Sequence, residues 1–106
     1  MQIIAKDYEF APQILEASPG ETLRITLINQ ANHDHSLVIG GGEDSRGELN
    51  EVLKPNESAT MTYKMPLNVA YVEFHCPIAN HGSRGMTGRI VAKRPDDGVN
   101  SGATLR

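Results

Sequence analysis

The chain has 106 residues, enough for one hydrophobic core and too few for two. Ten basic residues against 13 acidic give a formal charge of −3, with no block of like charge and no basic stripe, which argues against a nucleic-acid partner. Hydrophobic residues make up 39% and the 10 glycines bring the apolar share to that of an ordinary globular domain. No run approaches the roughly 18 consecutive apolar residues of a membrane span.

In chain order, period-two segments rich in β-formers recur at short intervals between Pro, Gly and Asn, the pattern of an antiparallel sandwich or barrel. Strands are predicted near 2–10, 14–18, 22–29, 35–40, 58–65, 69–76 and 86–94. Ala11-Pro12 and Ser18-Pro19-Gly20-Glu21 read as turns, because Pro presets φ and Gly reaches positive φ without a steric cost. Leu23, Ile25 and Leu27 share one face of the third strand, and Met61 and Met65 alternate along a later one as core residues. Residues 41–57 lack either periodicity and form a long connection, with a short helix expected around Glu48 to Leu53. The run from Pro95 to Arg106 has few apolar residues and many turn formers, so it is expected to be a disordered tail or linker stub after a domain spanning 1–94. The first strand begins at once, without a charged-then-apolar leader, so the chain reads either as cytosolic or as an exported domain whose leader has been removed.

The single cysteine cannot form an internal disulfide, so its thiol calls for another explanation. It lies in Phe74-His75-Cys76-Pro77-Ile78-Ala79-Asn80-His81-Gly82-Ser83-Arg84-Gly85-Met86, with the spacing C-x4-H-x4-M. Cys76 would end one strand and Met86 begin the next, and the Pro- and Gly-containing loop between them can turn His81 back toward the same point. A fourth donor must come from His33 or His35. His35 is the choice, because it heads the apolar run Leu37-Val38-Ile39 while His33 lies in a polar turn. A thiolate, two imidazoles and a weak thioether suit copper cycling between two oxidation states. A structural zinc site has no use for the thioether. A cysteine hydrolase would need a base and an oxyanion hole that nothing around Cys76 suggests. Copper storage favours paired Cys or Met-rich tracts, and a binuclear copper centre needs two cysteines.

These residues resemble the cupredoxins, the family of plastocyanin, azurin, amicyanin, rusticyanin and auracyanin. The resemblance covers residues 2 to 93: Tyr8-Glu9-Phe10 before Pro12, Pro19-Gly20-Glu21-Thr22, Asn29 six residues before His35-Ser36-Leu37-Val38-Ile39, and Phe74-His75-Cys76 through Gly85-Met86-Thr87-Gly88. The loop spacing is most similar to rusticyanin and auracyanin. The resemblance implies an all-β, Greek-key sandwich or barrel of about seven to eight strands, holding one type 1 copper per chain. His35, Cys76 and His81 would be its trigonal ligands and Met86 the weak axial one. The backbone amides of Ser36 and Ile78 would point at the Cys76 sulfur, and His75, on the face opposite Cys76, would be exposed.

The implied function is non-enzymatic electron transfer between redox partners, docking near His81, Ile78, Ala79, Pro12 and Pro55, in the periplasm or at the outer cell surface. The alternative is a cupredoxin domain of a multicopper oxidase or nitrite reductase. Such an enzyme needs further histidines, and only His33 and His75 are spare.

Overall fold

The computed structural model describes residues 1–40, 46–78 and 85–93. Among these residues nine strands form two sheets and no helix occurs: β1 Gln2–Lys6, β2 Glu9–Ala11, β3 Ile14–Ala17, β4 Thr22–Asn29, β5 Val38–Ile39, β6 Gly47–Glu48, β7 Ser58–Lys64, β8 Tyr71–His75 and β9 Thr87–Ala92. One sheet has the order β2-β1-β4-β7 and the other β3-β9-β8-β5-β6. The predicted all-β sandwich is therefore observed. The expected tail from Pro95 onward lies outside the described residues.

Alternation builds the core from both sheets. Leu23, Ile25 and Leu27 of β4, Met61 and Tyr63 of β7, Val72 and Phe74 of β8, and Ile90 of β9 all point inward and are buried, as is Met65 just beyond β7. Phe10 and Phe74 meet edge-to-face across the layers, with ring centroids 5.4 Å apart. Burying each ring contributes about 2–3 kcal/mol, and the pair geometry adds about 1 kcal/mol. Gly88 lies opposite Phe74 in the β8–β9 ladder, and a Cβ there would overlap both the Phe74 ring and the Gln13 carbonyl.

Three sequence expectations require correction. The first predicted strand, 2–10, is broken at Asp7-Tyr8 into a tight hairpin in which Lys6 pairs with Glu9 and Ala5 with Phe10. The inward positions slip from odd (Ile3, Ala5) to even (Phe10) across that turn, so an unbroken strand would have exposed one set.

The sheets are also not purely antiparallel: β1 pairs parallel with β4, and β3 parallel with β9. The chain leaves the first sheet after Ala11 and enters the second at Ile14, and this change of sheet provides the crossover a parallel pair requires.

Finally, Glu48 to Leu53 is not helical. Leu49 and Leu53, four apart as on a helix face, are both buried, but each satisfies its backbone against the segment ahead of β5. The Leu49 amide donates to the Leu37 carbonyl at 3.0 Å. The amides of His35 and Leu53 donate to each other's carbonyls at 3.0 and 2.9 Å.

Candidate metal centre

His35 sits three residues before the start of β5, on a segment held between two neighbours. The reciprocal bridge to Leu53 secures its backbone on one side. On the other, fully buried Asn29 at the end of β4 fastens the turn that leads to it. The Asn29 Nδ2 donates to the carbonyls of His33 and Leu53, each at 2.9 Å, and its Oδ1 accepts from the Ala31 amide at 2.9 Å. An amide side chain is suited to this place, because it can donate twice and accept at the same time. His35 is thus anchored as expected, though by a bridge and a side-chain clamp ahead of the short β5.

Cys76 follows the last residue of β8, and its amide donates to the Met86 carbonyl at 3.2 Å, tying the two ends of the expected ligand loop together just before β9. His35 and Met86 are 0% exposed and Cys76 is 2% exposed. The His35 Nδ1 lies 3.7 Å from the Cys76 Sγ. Bonds of the length zinc makes to thiolate and imidazole, about 2.3 and 2.0 Å, would span that gap with an angle of about 120° at the ion. The pair could therefore share one first-row metal ion. Among the described residues, no group of three or more His, Cys, Asp or Glu side chains is arranged to hold a metal. The remaining donors expected are the Met86 thioether and His81, and His81, like Ala79, lies outside the described residues.

Of the other residues singled out, Ser36 is buried and its hydroxyl donates to the Glu51 carbonyl at 2.8 Å. Ile78 is half-buried against the core, and Pro12, Pro55 and Pro77 are exposed. His75 pairs with Val38 and Thr87 and is half-buried, less open than expected, because strands lie on both sides of it.

The residue that sequence reasoning missed is Asp7. From the β1–β2 hairpin turn its Oδ1 approaches the His35 Nε2 at 2.8 Å, on the ring edge facing away from Cys76. Its Oδ2 accepts from the Asn32 amide at 2.9 Å and meets the His33 Nδ1 at 3.0 Å. Tyr8 stacks on the His33 ring, with centroids 5.8 Å apart. Desolvation acts to raise the Asp7 carboxyl, but hydrogen bonds from Asn32, His33 and His35, together with the charge His33 can carry, outweigh it and hold the group at about 2 rather than 3.8. Asp7 is therefore an anion at neutral pH. Only the phase slip at Asp7-Tyr8 hinted at a turn there, and no spacing rule links Asp7 to His35, 28 residues away.

The sequence matches no family model and no curated protein. Solved structures do share its architecture. A dithionite-reduced auracyanin from Roseiflexus castenholzii superposes with a TM-score of 0.74 at 20% identity, over 87% of this chain and 94% of that one. Auracyanin A from Chloroflexus aurantiacus, described as a "blue" copper protein, gives 0.71 at 17% identity, over 88% and 97%. A copper-containing nitrite reductase from Thermus scotoductus gives 0.66 at 18% identity over 90% of this chain, but only 27% of that enzyme. At such identities the likeness is one of fold, and with the two-sheet topology and the buried His35–Cys76 pair it leads to one statement: this chain has the cupredoxin fold shared by the auracyanins.

Proposed function

We propose that the protein is a small, non-enzymatic electron carrier with one type 1 copper held by His35, Cys76, His81 and Met86. The observation that carries this reading is the 3.7 Å approach of the His35 Nδ1 to the Cys76 Sγ, with both residues buried. When bound, copper supplies a one-electron couple between Cu(I) and Cu(II). The protein's own part is to hold the donors still. The Leu53 bridge and the Asn29 clamp fix His35, and the Cys76–Met86 backbone bond fixes the two sulfur residues relative to one another. Burial keeps the thiolate dry, and amides of Ser36 and Ile78 directed at its sulfur would withdraw charge and raise the reduction potential. Redox partners would dock at the site's end of the sandwich, around His81, Ile78, Ala79, Pro12 and Pro55, in the periplasm or at the outer cell surface.

Likeness to a nitrite reductase domain supports a second reading, a piece of a larger copper enzyme. Its additional copper would need histidines such as His33 and His75, and His33 is already engaged with Asp7. Nitrite or oxygen reduction by the purified chain alone would favour that reading.

The copper reading is tested by a visible spectrum of the loaded protein. An intense thiolate-to-copper band, one copper per chain, and loss of the band in Cys76→Ala with the fold intact are expected. A colourless, redox-silent protein refutes the proposal.

A further inference from the structure

A neutral imidazole carries one N–H and one lone pair, and which nitrogen holds which decides what the ring can bind. In His35 the two nitrogens face different partners, Asp7 Oδ1 at 2.8 Å from Nε2 and Cys76 Sγ at 3.7 Å from Nδ1. A carboxylate only accepts, so a 2.8 Å contact requires the hydrogen on Nε2. The opposite tautomer would set a lone pair against an anion inside a ring environment that is 0% exposed, where no water can intervene. We infer that Asp7 is the positioning residue of the site: it takes the Nε2–H of His35 and so leaves Nδ1 as the lone-pair donor facing Cys76. The inference deepens the copper reading and rests on it for its metal-linked consequences alone.

Asp7 is itself held in place. Its Oδ2 is engaged by the Asn32 amide and His33, so rotation about its side chain would break two contacts in order to release one. Its side chain is 19% exposed, while His33, which covers it from the solvent side, is 59% exposed. The turn that interrupts the first strand is thus where the fold brings a charge from one end of the chain to a buried imidazole. Metal-bound histidines commonly donate their second N–H to such a partner, which raises ligand basicity and fixes the ring plane. An anion here also favours the more highly charged metal state, so Asp7 would lower the reduction potential set by the other ligands.

The test begins without metal. Long-range proton–nitrogen NMR of the metal-free protein at pH 8 is expected to show His35 protonated at Nε2 and bare at Nδ1. A proton on Nδ1 overturns the inference. In Asp7→Asn the side-chain oxygen can still accept, so the tautomer should persist while the charge is lost. In Asp7→Ala the preference for Nε2–H should disappear, and Cu(II) binding should weaken by about 10- to 100-fold. If Cu(II) is weakened about tenfold more than Cu(I), the potential rises by about 59 mV, and Asp7→Asn should move it in the same direction. An unchanged tautomer and potential in Asp7→Ala would reduce Asp7 to a surface contact and overturn its role. Should Asp7→Ala fail to fold, the wild-type tautomer and the Asp7→Asn potential still decide. A protein with the Nε2–H tautomer that takes up no copper refutes the copper reading and supports the orienting role of Asp7.

Discussion

Asn29 gives the most demanding test of how the site is held. Its side chain is fully buried and makes three hydrogen bonds, two as donor to the His33 and Leu53 carbonyls and one as acceptor from the Ala31 amide. Each is worth about 1 kcal/mol net, and a buried group left without its partner costs about 1–3 kcal/mol. In Asn29→Ala the Leu53 carbonyl keeps the His35 amide, but the Asn29 contacts of the His33 carbonyl and the Ala31 amide are lost. The expected destabilisation of the metal-free protein is therefore about 3 kcal/mol. With a urea slope of about 1.5 kcal/mol/M, the unfolding midpoint should fall by about 2 M. Asn29→Asp should do no better at neutral pH, because it keeps the acceptor for Ala31 but turns an anion toward two carbonyl oxygens. Equilibrium urea unfolding followed by far-UV circular dichroism measures both variants. A midpoint shift below about 0.5 M in Asn29→Ala would mean that the clamp is not what holds the turn leading to His35.

Met86, buried just before β9, is expected to tune the site without being required for copper binding. Met86→Leu should raise the reduction potential and Met86→Gln lower it, both with the thiolate band retained; voltammetry giving equal potentials for the two would remove Met86 from the coordination sphere. Gly88→Ala should cost about 1–3 kcal/mol in a thermal or urea melt, because the added methyl meets the Phe74 ring and the Gln13 backbone carbonyl; an unchanged stability would contradict that packing. Burial raises the Tyr63 phenol above 10.0, so the folded state holds this proton more tightly than the unfolded chain does. Its contribution is complete below about pH 10 and declines as pH rises further, so urea midpoints of Tyr63→Phe should fall less steeply above pH 10 than those of the wild type; parallel slopes would show that Tyr63 ionises as freely as in the unfolded chain.

Much of the fold was legible in the sequence because alternation is a local consequence of strand geometry. Leu23, Ile25 and Leu27, the strand from 22 to 29, and the turn at Gly20, whose φ is +80°, needed no knowledge of the partner strands. The ends of the C-x4-H-x4-M loop were likewise readable, because Cys76 and Met86 border strands that pair with each other, and the Cys76–Met86 backbone bond follows from that ladder. The apolar run beside His35 also foretold its burial, 0% exposed against 59% for the His33 side chain.

Tertiary structure decided what depends on contacts between distant segments. The spacing of Leu49 and Leu53 suits a helix face, and only the pairing of their backbones with Leu37 and His35 turns that segment into extended structure. The parallel pairings of β1 with β4 and β3 with β9 arise from a change of sheet after Ala11 that no local propensity encodes. Asp7 is the clearest case. By sequence it falls inside the unbroken strand predicted at 2–10, and nothing local marks it, because its meaning comes from an imidazole 28 residues away. The hairpin must close and β1 must align in parallel beside β4 before a carboxylate and His35 come within 2.8 Å, so the orientation of the buried ring belongs to the assembled sheets and not to any stretch of sequence.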